Sequence, residues 1–338
     1  NYTVGVGYQV FEYLTTGDYN TAVGSQALNR ITTGTNNTAL GADALKHSQT
    51  GAFNTALGAR AMMDEAITGS NNTAVGYMGL RSLTSGAENT VIGYNSGYAI
   101  TTGGYNTAIG NESLEACTTG QQNAAIGRMC LHSLTTGNYN VAVGNRCGDG
   151  ITTGSNNTYV GREAGYYTTT SSNNTGVGYY ALKANTTGAD NTAFGANAGD
   201  AITTGSQNVC IGKNAGGAMV GGHWNVVIGK DCLASGDTNG SVIIGLDAAN
   251  GATGDNNVFI GKGACDGTAT TSDNCIVIGK DADPSSTSVD NEITLGNSSI
   301  TKFRIPGLSF TIDSTDISAA NNILPSANNS KNLGSSSL

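Results

Sequence analysis

The side chains best suited to metal binding or to acid–base and nucleophilic chemistry are three histidines, His47, His132 and His223, and seven cysteines. The histidines fall in separate segments. The chain reads without a carboxylate or cysteine at a repeated offset from them that would complete a catalytic triad or a metal site, so surface histidines are the expectation. The cysteines lack the Cys-x-x-Cys spacing of zinc and redox sites, and their odd number leaves at least one thiol unpaired within the chain. Gly-x-x-Gly spacings are frequent, but none is set between a strand and a long helix as a phosphate loop requires. Asp and Asn crowd the turns (Asp18, Asn36, Asp149, Asp190, Asp255, Asp273), and oxygen-rich turns can hold calcium. No Asp is read as recurring at one position in successive coils, so no metal, no cofactor and no catalytic residue is expected.

The elements that carry these residues are set by a repeat. With 50 Gly, 3 Pro and 12 % charged residues, the composition fits neither an ordinary globular enzyme nor a disordered tail. A phrase of the form Asn-Thr-Ala-aliphatic-Gly recurs with its glycine at Gly24, Gly41, Gly58, Gly76, Gly93, Gly110, Gly127, Gly144, Gly161, Gly178, Gly195, Gly212 and Gly229, a step of 17 residues with a single 18. Looser copies end at Gly245, Gly261, Gly279 and Gly296, and a partial copy ends at Gly5. A fixed period of this size predicts a solenoid of about eighteen coils.

Each phrase predicts a strand, because an aliphatic residue precedes the glycine and Thr or Val stands two places earlier. The opposite face carries a small residue and an Asn. Asn20, Asn37, Asn54, Asn72, Asn89, Asn106, Asn123, Asn140, Asn157, Asn174, Asn191, Asn208 and Asn225 are expected to stack in register, each amide bonding the next. A second glycine, seven residues earlier (Gly17, Gly34, Gly51 and their successors), is expected to supply a turn with positive φ. A coil of this length has room for two short strands and two turns, and parallel stacking at about 4.8 Å gives a rod about 80 Å long. A consistently small residue follows three places after the phrase (Ala27, Ala44, Cys130, Cys147). Cys130 and Cys147 occupy this position in adjacent coils, within the separation a disulfide tolerates; the other reading is that both are small hydrophobes in a packed site.

The phrase Asn20 to Leu28 resembles the head repeats of trimeric autotransporter adhesins, and the Thr-Thr-Gly-x-x-Asn-Thr-Ala-Val-Gly wording is similar to repeats of bacteriophage tail fibres. The stretch Asn291 to Thr301 resembles the segment before the endosialidase-type intramolecular chaperone of phage tail fibres and tailspikes, and Asn322 to Leu338 resembles a further tail-fibre phrase. The resemblance implies an all-β, left-handed parallel β-roll assembled as a homotrimer. It implies a fibre shaft on a virion, outside the cell, with two further copies of the chain, other virion tail proteins and a host-surface glycan or protein receptor as partners. A bacterial surface adhesin on the same roll is the alternative, and a depolymerase carried on a fibre a third reading.

The net charge of −9 is spread thinly, without the basic stripe or aromatic platforms of a nucleic-acid groove. No run of apolar residues is long enough for membrane insertion. The start, Asn1-Tyr-Thr-Val-Gly, is neither an initiator methionine nor a signal peptide, so the chain is expected to lie inside a longer protein. Tyr94, Tyr98, Tyr166, Tyr167 and Trp224 are the aromatic side chains that could meet a ligand such as a glycan; as plain structure they would cover the flanks of the rod. Gly216 to Trp224 replaces the usual turn and is expected to mark a kink, cap or contact site. The repeat shaft is assigned to residues 1–297 and a distinct C-terminal segment to residues 298–338.

Overall fold

Each phrase forms one three-residue strand, and eighteen of them, β1 (Val4–Val6) through β18 (Ile293–Leu295), pair in sequence order as a single parallel sheet; the opening copy ends at Gly7 rather than at Gly5, which pairs with Ala22 inside β1. This computed structural model describes residues 2–266, 270–305, 310–313 and 317–319, and no helix occurs among them. Asn322 to Leu338, which carries the second tail-fibre phrase, lies outside the described residues. The register links like to like: Thr21 pairs with Thr38, Ala22 with Ala39 and Val23 with Leu40. Eighteen-residue coils are absorbed where Thr55 pairs with Thr73 and Val258 with Ile276, and sixteen-residue coils where Val226 pairs with Val242. The architecture is therefore a β-solenoid.

The expected second strand per coil does not form. The return half of each coil is a chain of turns, yet its backbone still bonds coil to coil: Leu28 N–H donates to Ala44 O at 3.0 Å, Arg30 to Lys46 at 2.9 Å and Thr32 to Gln49 at 3.0 Å. Besides the phrase glycine, most coils place three residues in the left-handed region, in one coil Tyr19 (φ 58°), Gln26 (57°) and Leu28 (47°). This conformation breaks the strand pattern while leaving peptide groups aimed along the rod axis. Leucine in it is strained by about 1–2 kcal/mol, and full burial of Leu28, Leu45, Leu80 and Leu131 offsets that cost.

The positive-φ turn was expected at the wrong glycine. The Gly17 series is not in that region; the phrase-ending series is, with Gly110 at +140°. The earlier series is required for space instead. A Cβ on Gly137 would lie 2.2 Å from the Gly154 carbonyl oxygen of the next coil.

The core is a column of small and medium side chains. Ala22, Ala27, Leu28 and Ile31, one coil's contribution, are all fully buried, and their equivalents repeat up the rod. Volume is conserved between columns. Tyr159, the largest buried side chain, stands between Ala142 and Gly176 of the adjacent coils, and Gly165 and Gly176 leave room for it: a Cβ on Gly165 would lie 2.6 Å from the ring and one on Gly176 2.8 Å. Its hydroxyl meets Thr168 Oγ1 at 3.1 Å.

Gly216 to Trp224 does not interrupt the rod. Met219 is fully buried at the position of Ile202, Gly222 O accepts from Asn208 Nδ2 at 2.7 Å, and Asn225 continues the ladder, so the coil keeps register despite its wording. Beyond Leu295 the pairing changes. Lys302–Ile305 (β19), Phe310–Asp313 (β20) and Ile317–Ala319 (β21) form a separate antiparallel sheet.

Candidate functional site

The strand alternation divides the rod into a polar inner ladder and an apolar outer face. Inside, Asn20 through Asn225 form the continuous ladder. Asn123 is typical: its backbone N–H and Nδ2 both donate to Asn106 Oδ1 at 3.0 and 3.1 Å, and Nδ2 also donates to Gly137 O at 3.0 Å. Its own Oδ1 accepts the same pair from Asn140 at 3.0 and 3.1 Å. The ladder runs past Asn225, because Ser241 N–H donates to Asn225 Oδ1, Asn257 N–H to Ser241 Oγ and Cys275 N–H to Asn257 Oδ1. These buried groups neutralise one another and hold the coil turns shut.

A second polar ladder went unread in the sequence. Ser155, Ser172 and Ser206 accept the backbone N–H of Asn138, Ser155 and Ala189 through their hydroxyls. Toward the C-terminal end the same position holds Asp255, Asp273 and Asp290, whose carboxylates accept from Asn239, Asp255 and Asp273 N–H at 2.8, 2.7 and 2.9 Å. Asp therefore does recur in three successive coils, contrary to expectation, and its oxygens close backbone bonds there.

Outside, the residue before each phrase glycine projects from the sheet. Leu40, Leu57, Ile92, Ile126 and Phe194 are 46, 42, 40, 40 and 59 % exposed, in line with Val160, Ile211 and Ile278. Thr accompanies them in half of the coils, and Val or Ile in most of the others. The result is an apolar stripe along the whole parallel sheet, far longer than the scattered apolar residues of an ordinary surface.

One flank beside the return half gathers the charged and aromatic side chains. Arg81, Tyr98, Glu115, His132, Asp149, Tyr166 and Lys183 occupy one position in seven successive coils. Arg81 donates to the Tyr98 hydroxyl at 2.7 Å and pairs with Asp64. Arg146 lies over the Tyr166 ring at 4.7 Å and Lys183 over the Tyr180 ring at 3.6 Å. Glu163 bonds Lys183 at 3.1 Å and Arg162 at 3.1 Å. Burial alone would push the Glu163 carboxyl up, but these two cations outweigh it and hold the group below its ordinary value. Carboxylates therefore do stand at a repeated offset from a histidine: Glu115 and Asp149 flank His132 one coil to either side. The match was missed because the residue types differ from coil to coil.

The five aromatic candidates do not converge. Tyr98 and Tyr166 share this flank, and Tyr167 packs edge-on against Tyr166 at 4.6 Å. Tyr94 stacks on Tyr77 in a different column at 5.6 Å. Trp224 is 64 % exposed beside His223, several coils away.

All seven cysteines are buried and free, including Cys130 and Cys147, whose thiols face each other. Cys130 Sγ donates to Ala142 O at 3.1 Å. Burial pushes the thiols of Cys117, Cys210 and Cys232 up to about 12, which leaves them protonated and unreactive at neutral pH. The phrase glycines Gly24 through Gly229 are likewise structural, since each abuts the next coil's glycine carbonyl.

Among the described residues no helix is long and apolar enough to cross a membrane. No family model matches the chain, and no curated protein matches it.

Proposed function

We propose that this chain is the shaft of a bacteriophage tail fibre, a homotrimer of left-handed β-rolls with no catalytic role, outside the cell on the virion. The apolar outer face of the sheet is the observation that carries the reading. It extends over all the coils, so whatever covers it must match a ladder of about 4.8 Å spacing for about 80 Å. A second and third copy of the same chain meet that requirement by construction, whereas a globular partner would cover only a few coils. The repeat wording and the Asn291 to Thr301 phrase favour a phage fibre among rods of this kind.

Its mechanism is mechanical. A stiff rod holds receptor-binding parts away from the particle and presents each contact three times, so weak contacts to a host-surface glycan or protein add through avidity. Other tail proteins attach the shaft, and the exposed Tyr94, Tyr98, Tyr166, Tyr167 and Trp224 supply side contacts to the host surface.

Immunogold electron microscopy with an antibody raised against the purified chain tests the assignment. Label along the fibres of phage particles is expected. Label on a bacterial envelope in the absence of phage would overturn it in favour of a surface adhesin.

A further inference from the structure

We propose that Glu112, Glu115 and His132 form a binding site for a divalent transition-metal ion of the zinc class, one per chain, that clamps two adjacent coils. Their ligand atoms all lie within 4.8 Å of one another. Glu115 and His132 stand at one position in neighbouring coils, and Glu112 lies three residues before Glu115, where a left-handed backbone (φ 55°) turns the chain. His132 Nε2 already sits 2.8 Å from Glu115 Oε2, so small rotations bring one nitrogen and two oxygens onto a centre with bonds of about 2.0–2.2 Å.

Three further features point to a cation rather than to a closed ion-pair network. First, the Glu112 carboxylate has no hydrogen-bond or ionic partner among the described residues, although it lies against Glu115. With Asp149 added, three carboxylates face one histidine and one arginine, and Arg146 is committed to Asp149 at 2.8 Å. The site carries excess negative charge in a half-buried place.

Second, the other imidazole nitrogen is provided for. Asp149 is 6 % exposed and its Oδ1 lies 3.6 Å from His132 Nδ1, a gap that a slight ring rotation closes. A carboxylate in that place fixes the tautomer with hydrogen on Nδ1 and leaves Nε2 free for a metal, the arrangement that supports zinc-bound histidines generally. Arg146, stacked on Tyr166, holds Asp149 in turn. Third, Asn95 Nδ2 reaches Glu115 Oε1 at 3.4 Å while its Oδ1 is buried without a donor. A metal-bound water on the open fourth position would supply one.

One imidazole and two carboxylates suit zinc and its neighbours better than calcium, which takes six to eight oxygens. The coil of His47, far from this site along the rod, does not repeat the set: its imidazole faces a backbone carbonyl, Asp64 O, at 3.0 Å.

The test is calorimetric titration of the chelator-treated full chain with zinc chloride, paired with cobalt(II) substitution read by visible absorption. Saturable uptake of one ion per chain at micromolar affinity or tighter is expected, with the absorption of a four-coordinate cobalt centre. His132→Gln and Glu115→Gln should abolish it, His47→Gln should leave it unchanged, and Asp149→Asn should weaken it by about 10–100-fold at the same stoichiometry. Circular dichroism in chelator checks that each variant keeps the fold. No saturable uptake by the natural chain overturns the proposal, and so does uptake that persists in folded His132→Gln.

Discussion

At the scale of single residues, the rod depends on groups that have no room or no substitute. Asn123 closes hydrogen bonds to the coils on both sides of its own, and Asn123→Ala would orphan the Gly137 carbonyl and the Asn140 N–H in a dry core. A loss on the order of 3 kcal/mol is expected in chemical denaturation. Gly110 combines a left-handed φ of +140° with a neighbour: a Cβ there would lie 2.3 Å from the Gly127 carbonyl oxygen. Gly110→Val should therefore cost about 3 kcal/mol or more, and because coils contact only their neighbours, the melting curve should split rather than shift as a whole. Unchanged melting would remove the glycine frame from the account. The sequence made both positions legible through sheer recurrence. It concealed the left-handed leucines, since nothing in the residue type distinguishes Leu28 in a turn from Leu in a strand, and only full burial shows what holds that conformation.

At the scale of elements, the one strand per coil follows from alternation, and the missing second strand follows from the left-handed residues that fold the return half into turns. Period alone could not separate these outcomes, because both bond coil to coil with the same step. The charged flank was also hidden. Glu115, His132 and Asp149 are single occurrences of three residue types, and only the coil register places them in one column. The same flank gives a pH dependence. Glu163, held low by Lys183 and Arg162, contributes stability that is fully present above the unfolded carboxylate value of about 4.3 and is lost as pH falls through its lower folded value. Melting temperature followed from pH 6 downward, through about 4, should fall less steeply in Glu163→Gln than in the natural chain. Identical slopes would show that the pair contributes nothing.

At the scale of the whole molecule, the rod is a single sheet whose inner Asn ladder is satisfied and whose outer face is uncovered. Asparagine, alanine and leucine columns close the inside, while Leu40, Ile92, Ile126 and Phe194 project from the sheet. The sequence separated the two faces by alternation and tied the pattern to three-chain rods by resemblance; the extent of the apolar stripe became visible only once the coils were stacked. Native mass spectrometry of the full chain, beside a variant carrying Ile92→Lys and Ile126→Lys, tests the central claim most directly. Three chains are expected for the natural protein and single chains for the variant, with circular dichroism showing that the coils remain. A natural chain that stays monomeric at micromolar concentration, or a variant that still forms trimers, would contradict it.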